Sequence, residues 1–216
     1  LVAHEQVEIP GPRPEIRYRI IRPAKVPFIS YPYEWCFSQM KDAALATLKI
    51  QRKALEFGMT LRDASAYNLQ FCAGQPVFID TLSFDTYAEG QPWLAYRQFC
   101  QHFLAPLALM SYKDVRLSSL LRTYMDGVPL DLTSTLLPFR TRLRPSLLTH
   151  IHLHASSQKR YADRPADMSR RRLSKTGLVG ILDSLQSVVA GLEWKPSGTE
   201  WADYYKDTNY SAAAFH

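Results

Sequence analysis

Residues 61–80, LRDASAYNLQFCAGQPVFID, are the stretch that decides the expected fold of this chain. Segments 69–71 and 77–79 are candidates for two short strands, and the Gly and Pro residues between them are typical of a hairpin turn. The two outer ends of a hairpin lie side by side, so residues just before it and just after it come close together. The polar side chains that we expect to converge there are Asp63, Asn68 and Asp80.

These three residues are of the types that a phosphoryl-transfer site needs. One carboxylate orients or deprotonates the acceptor, while an amide oxygen and a second carboxylate hold the metal ions on the phosphates. Asn68 lies five residues after Asp63, which is the spacing within the kinase catalytic loop H-R-D-x-x-x-x-N. The alternative is that Asp63 and Asn68 cap turns and that Asp80 closes a loop by accepting backbone N–H groups.

The order of helix, loop, hairpin and aspartate resembles the protein-kinase-like and aminoglycoside-phosphotransferase-like superfamily. The resemblance implies a kinase-like C-terminal lobe with Asp63 at the catalytic-base position. It also implies Asn68 and Asp80 as the ligands of a metal ion that accompanies a nucleotide, so Mg-nucleotide is a possible cofactor.

The sequence departs from the kinase pattern in several places. Leu61 stands where the loop usually has His, and Asp80-Thr81-Leu82 replaces the Asp-Phe-Gly triplet. The chain has no Gly-rich phosphate loop, and Lys25, between two prolines, is the only early candidate for the strand lysine. We therefore expect a truncated N-terminal strand region. We also expect the site to indicate a kinase-like fold and ancestry more than present kinase activity.

A second resemblance covers nearly the whole chain. The residues at 61–71, 74–80 and 92–99 carry it, together with Trp201-Ala-Asp-Tyr-Tyr205 near the end. Their sequence resembles the N-terminal region of a family of bacterial class I SAM-dependent methyltransferases. The resemblance implies that a Rossmann-like methyltransferase domain follows and that SAM binds there, outside this chain. It implies an accessory role for the present region, with that domain and an acceptor substrate as its partners.

The fold class expected around this stretch is α+β and mostly helical, with a short β-hairpin. Apolar spacing, caps and turn residues predict helices over 38–57, 93–110 with a kink near Pro106, 118–125, 145–155 and 176–192. In these predictions Ser38 and Thr176 are N-caps and Gly58 is a C-cap. Two further short strands are expected at 16–20 and 26–30.

These elements are expected to form a kinase-like lobe over 1–155, a basic flexible linker over 156–176, and a helix with a lead-in to the methyltransferase domain over 177–216. The linker prediction depends on its Ser, Lys, Arg and Asp content, including the run Arg170-Arg171-Arg172.

Composition limits the remaining possibilities. The chain has 216 residues, a net charge of +6 and three widely spaced cysteines without a CxxC pair, which is typical of free thiols in a cytoplasmic protein. No apolar run approaches the roughly 20 residues of a membrane helix, so no membrane partner is expected.

Two polar clusters leave alternatives open. His150 and His154 would share a helix face and could hold a metal ion, although packed or surface histidines are the more common outcome. The arginines at 140, 142 and 144 could meet phosphate or nucleic acid, but a solvated strip is more common, and no nucleic-acid motif accompanies them.

Overall fold

The computed structural model describes residues 1–8, 19–155 and 173–195. In this part of the chain, helices predominate and the strands form three small antiparallel sheets of two strands each. The predicted α+β, mostly helical class is therefore confirmed at this level. Residues 196–216 of the predicted helix and lead-in, and most of the predicted linker, lie outside the described residues.

The longest helix, α1, spans Phe37–Glu56 and provides one side of the core. It buries apolar and small residues such as Met40, Ala44 and Leu48. It begins one residue earlier than predicted because Gln39 Oε1 accepts the Cys36 N–H at 3.0 Å, which makes Cys36 the N-cap instead of Ser38. At its end Gly58 has φ +68°, as expected of a C-cap glycine.

Six short strands of the described chain form these three sheets. β1 (His4–Gln6) pairs with β2 (Ile21–Pro23), β3 (Met59–Leu61) pairs with β6 (Phe84–Thr86), and β4 (Leu69–Cys72) pairs with β5 (Gln75–Phe78). The hairpin β4–β5 was predicted to within one or two residues. Its two turn residues, Ala73 and Gly74, have φ +48° and +74°, which is the geometry of a tight two-residue hairpin turn.

The strand predicted at 26–30 is wrong, because no strand forms there. Pro27 has no N–H to give to a neighbouring strand. The backbone of Ser30 is already occupied, since its N–H donates to Gln70 Oε1 at 2.9 Å and its C=O accepts from Gln70 Nε2 at 3.0 Å. Of the segment predicted at 16–20, only residues 19–20 are described, and they are not in a strand.

The helix predicted at 93–110 consists of α2 (Tyr96–Phe99), a π-helical turn (Cys100–Leu104) and α3 (Ala105–Tyr112). The interruption near Pro106 is confirmed and lies just before it. Proline cannot donate to the preceding turn, so carbonyl groups there need other donors. Gln101 C=O accepts such a bond from Val128 N–H at 2.9 Å.

The second half of the described chain is built from shorter helical pieces. The predicted helix 118–125 is a 3₁₀ turn (Val115–Ser119) followed by α4 (Leu120–Thr123), since Asp114 caps the earlier start by accepting the Arg116 N–H. The unpredicted helix α5 spans Leu130–Leu136. A 3₁₀ turn (Phe139–Leu143), α6 (Pro145–Leu147) and a π-helical segment (Leu148–Leu153) follow.

The last described helix, α7, spans Lys175–Gly191 and packs on α1. Its N-cap is Ser174, whose Oγ accepts the Gly177 N–H at 3.1 Å, so the prediction of Thr176 as N-cap is wrong. Helix α7 begins at a position that was assigned to the linker. Its buried residues belong to the same hydrophobic core as those of α1 and α3: Leu178, Leu182, Leu185 and Val189.

Candidate functional site

The loop at 62–68 is held between strands at both of its ends. Strand β3 leads into the loop, the hairpin β4–β5 leaves it, and β6 returns to pair with β3. The Leu61 N–H donates to Gln51 Oε1 at 2.6 Å, and Leu61 C=O accepts from Trp93 Nε1 at 2.8 Å. Because both partners are buried, the entry to the loop is fixed to α1 and to the segment before α2.

Asp63 is oriented by a network of short-range hydrogen bonds. Its Oδ1 accepts the Ser65 N–H at 2.8 Å, and Ser65 Oγ accepts the Tyr67 N–H at 3.2 Å. Gln98 Oε1 accepts the Ala64 N–H at 2.7 Å, which ties the loop to α2. The first of these bonds is an Asx turn, as expected if the aspartate caps a turn.

Asn68 and Asp80 meet at Ser83. The Asn68 Nδ2 group lies 3.4 Å from Ser83 Oγ, and the same hydroxyl donates to Asp80 Oδ2 in a short hydrogen bond. Asp80 Oδ1 accepts the Leu82 N–H at 2.9 Å. The structure therefore brings the two predicted metal ligands together, and it also gives both oxygens of Asp80 a partner within their own loop.

Asp63 faces a cleft that Asn68 and Asp80 do not line. This Asp63 cleft has a volume of about 310 Å³. Seven residues from the loop, α2, the π-helical turn and the 124–127 turn form its walls: Asp63, Ser65, Tyr67, Gln98, His102, Met125 and Asp126.

The inner wall of the Asp63 cleft contains two polar atoms without a partner among the described residues. They are His102 Nδ1 and the Tyr67 hydroxyl, and His102 is only 2% exposed. Burial lowers the pKa of His102 to about 4, although the nearby carboxylates of Asp63 and Asp126 act in the opposite direction. Burial, together with Tyr33 and Asp126, raises the pKa of Tyr67. At neutral pH the cleft thus combines an uncharged imidazole and a phenol with two aspartates.

Sequence reasoning did not find His102 and Asp126 as residues of this cleft. They lie far from residues 61–80 in sequence, and no local pattern links them to that stretch. Gly127 has φ +93°, and a Cβ placed there would lie 2.7 Å from Gln101 Cβ and 3.0 Å from His102 Cδ2. This close approach of Gly127 to the π-helical turn places Asp126 beside His102.

His150 and His152 are buried and hydrogen-bonded, and the ring centroid of His154 lies 5.2 Å from that of Tyr96. His150 Nδ1 lies 2.7 Å from the Tyr96 hydroxyl and His150 Nε2 lies 2.9 Å from Ser184 Oγ, so both ring nitrogens have protein partners. His152 likewise contacts Ser134 and Thr141. In the described ranges there is no group of three or more His, Cys, Asp or Glu side chains placed to hold a metal ion.

Trp93 and Phe99, on either side of the start of α2, are buried core residues. Among the helices of residues 1–8, 19–155 and 173–195, none is long and apolar enough to cross a membrane.

The chain is similar to the nodulation protein NoeA of Rhizobium meliloti (strain 1021). The two are 36% identical over 199 residues, which cover 90% of this chain and 42% of NoeA. The chain thus spans less than half the length of that relative. No family model matches the chain, and no solved structure matches it either.

Proposed function

We propose that this chain is a kinase-like accessory domain of a SAM-dependent methyltransferase, and that the Asp63 cleft holds the acceptor substrate. The observation that carries this proposal is the difference between the two carboxylates. Asp63 faces a polar cleft, whereas both oxygens of Asp80 accept hydrogen bonds from its own loop, from Leu82 and Ser83.

The arrangement around Asp80 favours a structural role over metal binding. A carboxylate that accepts a backbone N–H and a hydroxyl closes its loop efficiently, and a metal ion would compete with those bonds. Asn68 donates to the same hydroxyl and does not present its amide oxygen through that contact. In this proposal, the kinase-like order of helix, loop, hairpin and aspartate maintains the shape of the loop and does not bind a metal ion.

The Asp63 cleft offers several hydrogen-bonding groups to an acceptor. Two aspartates and Gln98 lie near its surface, and the unpaired Tyr67 hydroxyl and His102 imidazole lie deeper. A methyl acceptor presents an O–H or N–H group, and carboxylate oxygens accept hydrogen bonds from both. Burial of the imidazole keeps it neutral, so it can accept a bond as well.

SAM would bind in the remainder of the full-length protein and supply the methyl group there. The Gly-rich strand–turn–helix that approaches such a cofactor is absent from this sequence, so no residue of this chain is assigned to SAM. The similarity to NoeA supports a larger protein around this region, because more than half of NoeA lies outside the match. We extend the proposal to a role of that larger protein in nodulation, the process in NoeA's name.

The test is to measure SAM binding by calorimetry and acceptor kinetics on the full-length protein, with Asp63→Asn as the variant. We expect unchanged SAM affinity and a KM for the acceptor that rises about tenfold, since the variant removes an acceptor contact and leaves the cofactor site intact. Asp42→Asn, an exposed change on α1, is the matched control and should alter neither value. Absence of SAM binding to the full-length protein would contradict the proposal.

A phosphotransferase-type lobe that binds Mg-nucleotide is the second candidate. It is favoured by the meeting of Asn68 and Asp80 at Ser83, because Asn68 lies on the same loop as Asp63. It predicts calorimetric binding of Mg-ATP that Asp80→Ala abolishes and that Asp85→Asn, on exposed strand β6, leaves unchanged. Thermal unfolding of Asp80→Ala would show whether its loop still folds, and Asn68→Ala gives a second variant. Absence of Mg-ATP binding to the full-length protein contradicts this candidate and leaves the first one standing.

A further inference from the structure

The 3₁₀ turn Phe139–Leu143 and the residue after it form an exposed surface that no function above uses. Phe139 is 72% exposed and Leu143 is 74% exposed, although both are large apolar side chains. Three exposed arginines alternate with them: Arg140, Arg142 and Arg144. We call residues 139–144 the basic-apolar strip.

The strip is held in place through its one buried residue. Thr141 is fully buried, its Oγ1 donates to Pro138 C=O at 2.7 Å, and the same atom lies 2.9 Å from His152 Nε2. The other five side chains therefore project from a backbone that is anchored to the core. Because the backbone of such a turn is already ordered, it presents charged and apolar side chains to a partner without losing backbone entropy on binding.

Two of the arginines are stacked on one aromatic ring. The guanidinium carbons of Arg140 and Arg144 lie 5.8 and 5.7 Å from the ring centroid of Tyr112, at cation–π distance. Within residues 1–8, 19–155 and 173–195, no ion pair joins Arg140, Arg142 or Arg144 to a carboxylate. Their charge is thus available to a partner outside the chain.

We propose that the basic-apolar strip docks the protein on the surface of an anionic lipid bilayer, with the arginines at the lipid phosphates and with Phe139 and Leu143 inserted among the acyl chains. This proposal is independent of the proposed function. Bilayer interfaces take up apolar side chains that are surrounded by Lys and Arg, and each basic residue near an anionic surface strengthens binding. The net charge of +6 acts in the same direction.

The two exposed apolar side chains favour a bilayer over a nucleic acid. A phosphate backbone would satisfy the arginines but offers no acyl layer for Phe139 and Leu143. The docking needs no spanning helix, since the strip lies in the interface plane. None of residues 139–144 lines the Asp63 cleft.

The test is co-sedimentation of the full-length protein with vesicles of phosphatidylcholine that contain about one-third phosphatidylglycerol, compared with pure phosphatidylcholine vesicles. We expect binding to the anionic vesicles alone, weakened when salt rises from about 0.1 M to about 0.5 M. The double variant Phe139→Ser/Arg140→Gln should reduce the partition coefficient by at least about tenfold, and Leu143→Ser/Arg144→Gln should act alike.

The chain supplies a matched control at the end of α1. Phe57 is also exposed, and Lys53 lies 5.2 Å from its ring centroid, so Phe57→Ser/Lys53→Gln removes one aromatic and one cation elsewhere. The control should bind like the unmodified protein. The proposal is overturned if neutral and anionic vesicles bind equally, if the control loses as much as the strip variants, or if duplex DNA binds the protein while anionic vesicles do not.

Discussion

At the scale of single residues, Gly127 determines the shape of the Asp63 cleft. Its φ of +93° is a left-handed conformation that favours glycine, and its Cα approaches Gln101 and His102 too closely for a Cβ. We expect Gly127→Ala to destabilise the protein by about 2–4 kcal/mol, through backbone strain and through displacement of the π-helical turn.

Urea unfolding of Gly127→Ala would measure this loss. Gly180→Ala, in the middle of α7 where a Cβ meets nothing within 4 Å, is the control and should stabilise by about 0.5–1 kcal/mol. Equal effects of the two substitutions would contradict the close approach at Gly127.

His102 links the same cleft to the pH dependence of stability. Its folded-state pKa of about 4 lies below its ordinary value of 6.5, because burial disfavours the charged ring. Above pH 6.5 the ring is neutral in both states and contributes no pH dependence. As pH falls from 6.5 to 4, the unfolded state binds the proton first, so His102 lowers the stability of the folded state by up to roughly 3 kcal/mol.

The stability difference between the native protein and His102→Gln isolates this effect from other titrating groups. We expect the free energy of unfolding of the native protein, relative to that of His102→Gln, to be smaller at about pH 4.5 than at about pH 7. Urea unfolding at the two pH values measures it. The exposed His4→Gln serves as the reference. A difference that stays constant with pH would show that His102 is not held neutral.

At the scale of elements, Lys41 joins α1 to the C-terminal end of α7. Its Nζ donates to Ala190 C=O at 2.7 Å and to Leu192 C=O at 2.9 Å, so a cation on α1 satisfies carbonyl groups at the C-terminal end of α7. We expect Lys41→Met to cost about 1 kcal/mol and to speed hydrogen exchange in the last turn of α7. Lys53→Met, at an exposed position of the same helix where the lysine pairs with Glu56, should leave hydrogen exchange in α7 unchanged.

Elements that are determined by residues close together in sequence were predicted well. The hairpin β4–β5 follows from a Gly that accepts positive φ between two short β-prone segments, and α1 follows from its apolar spacing and Gly58. Strands β1, β2, β3 and β6 have only three residues each. Three residues are too few to show the alternation of apolar and polar side chains that predicts a strand. Helix α5 begins after Pro129 without a side-chain cap, so it lacked a start signal.

At the scale of the whole molecule, α7 and the lobe before it share one hydrophobic core. Leu185 is fully buried in that core. We therefore expect Leu185→Ala to destabilise residues on α1 as well as those on α7, by about 3 kcal/mol, in a single unfolding transition. Hydrogen exchange resolved by segment would measure both helices. Loss of protection in α7 alone would indicate a separate unit, and the exposed Ser187→Ala should change neither helix.

The sequence by itself determined the hairpin, the principal helices and the placing of Asn68 and Asp80 on either side of one turn, because residues near in sequence produce each of these features. Only the tertiary structure decided that Asp63 lines a cleft with a different group of residues, which includes His102 and Asp126. That cleft depends on Pro106, which leaves Gln101 C=O to be paired by Val128 N–H. Such a contact joins two segments that no local pattern relates, so it arises only when the chain packs.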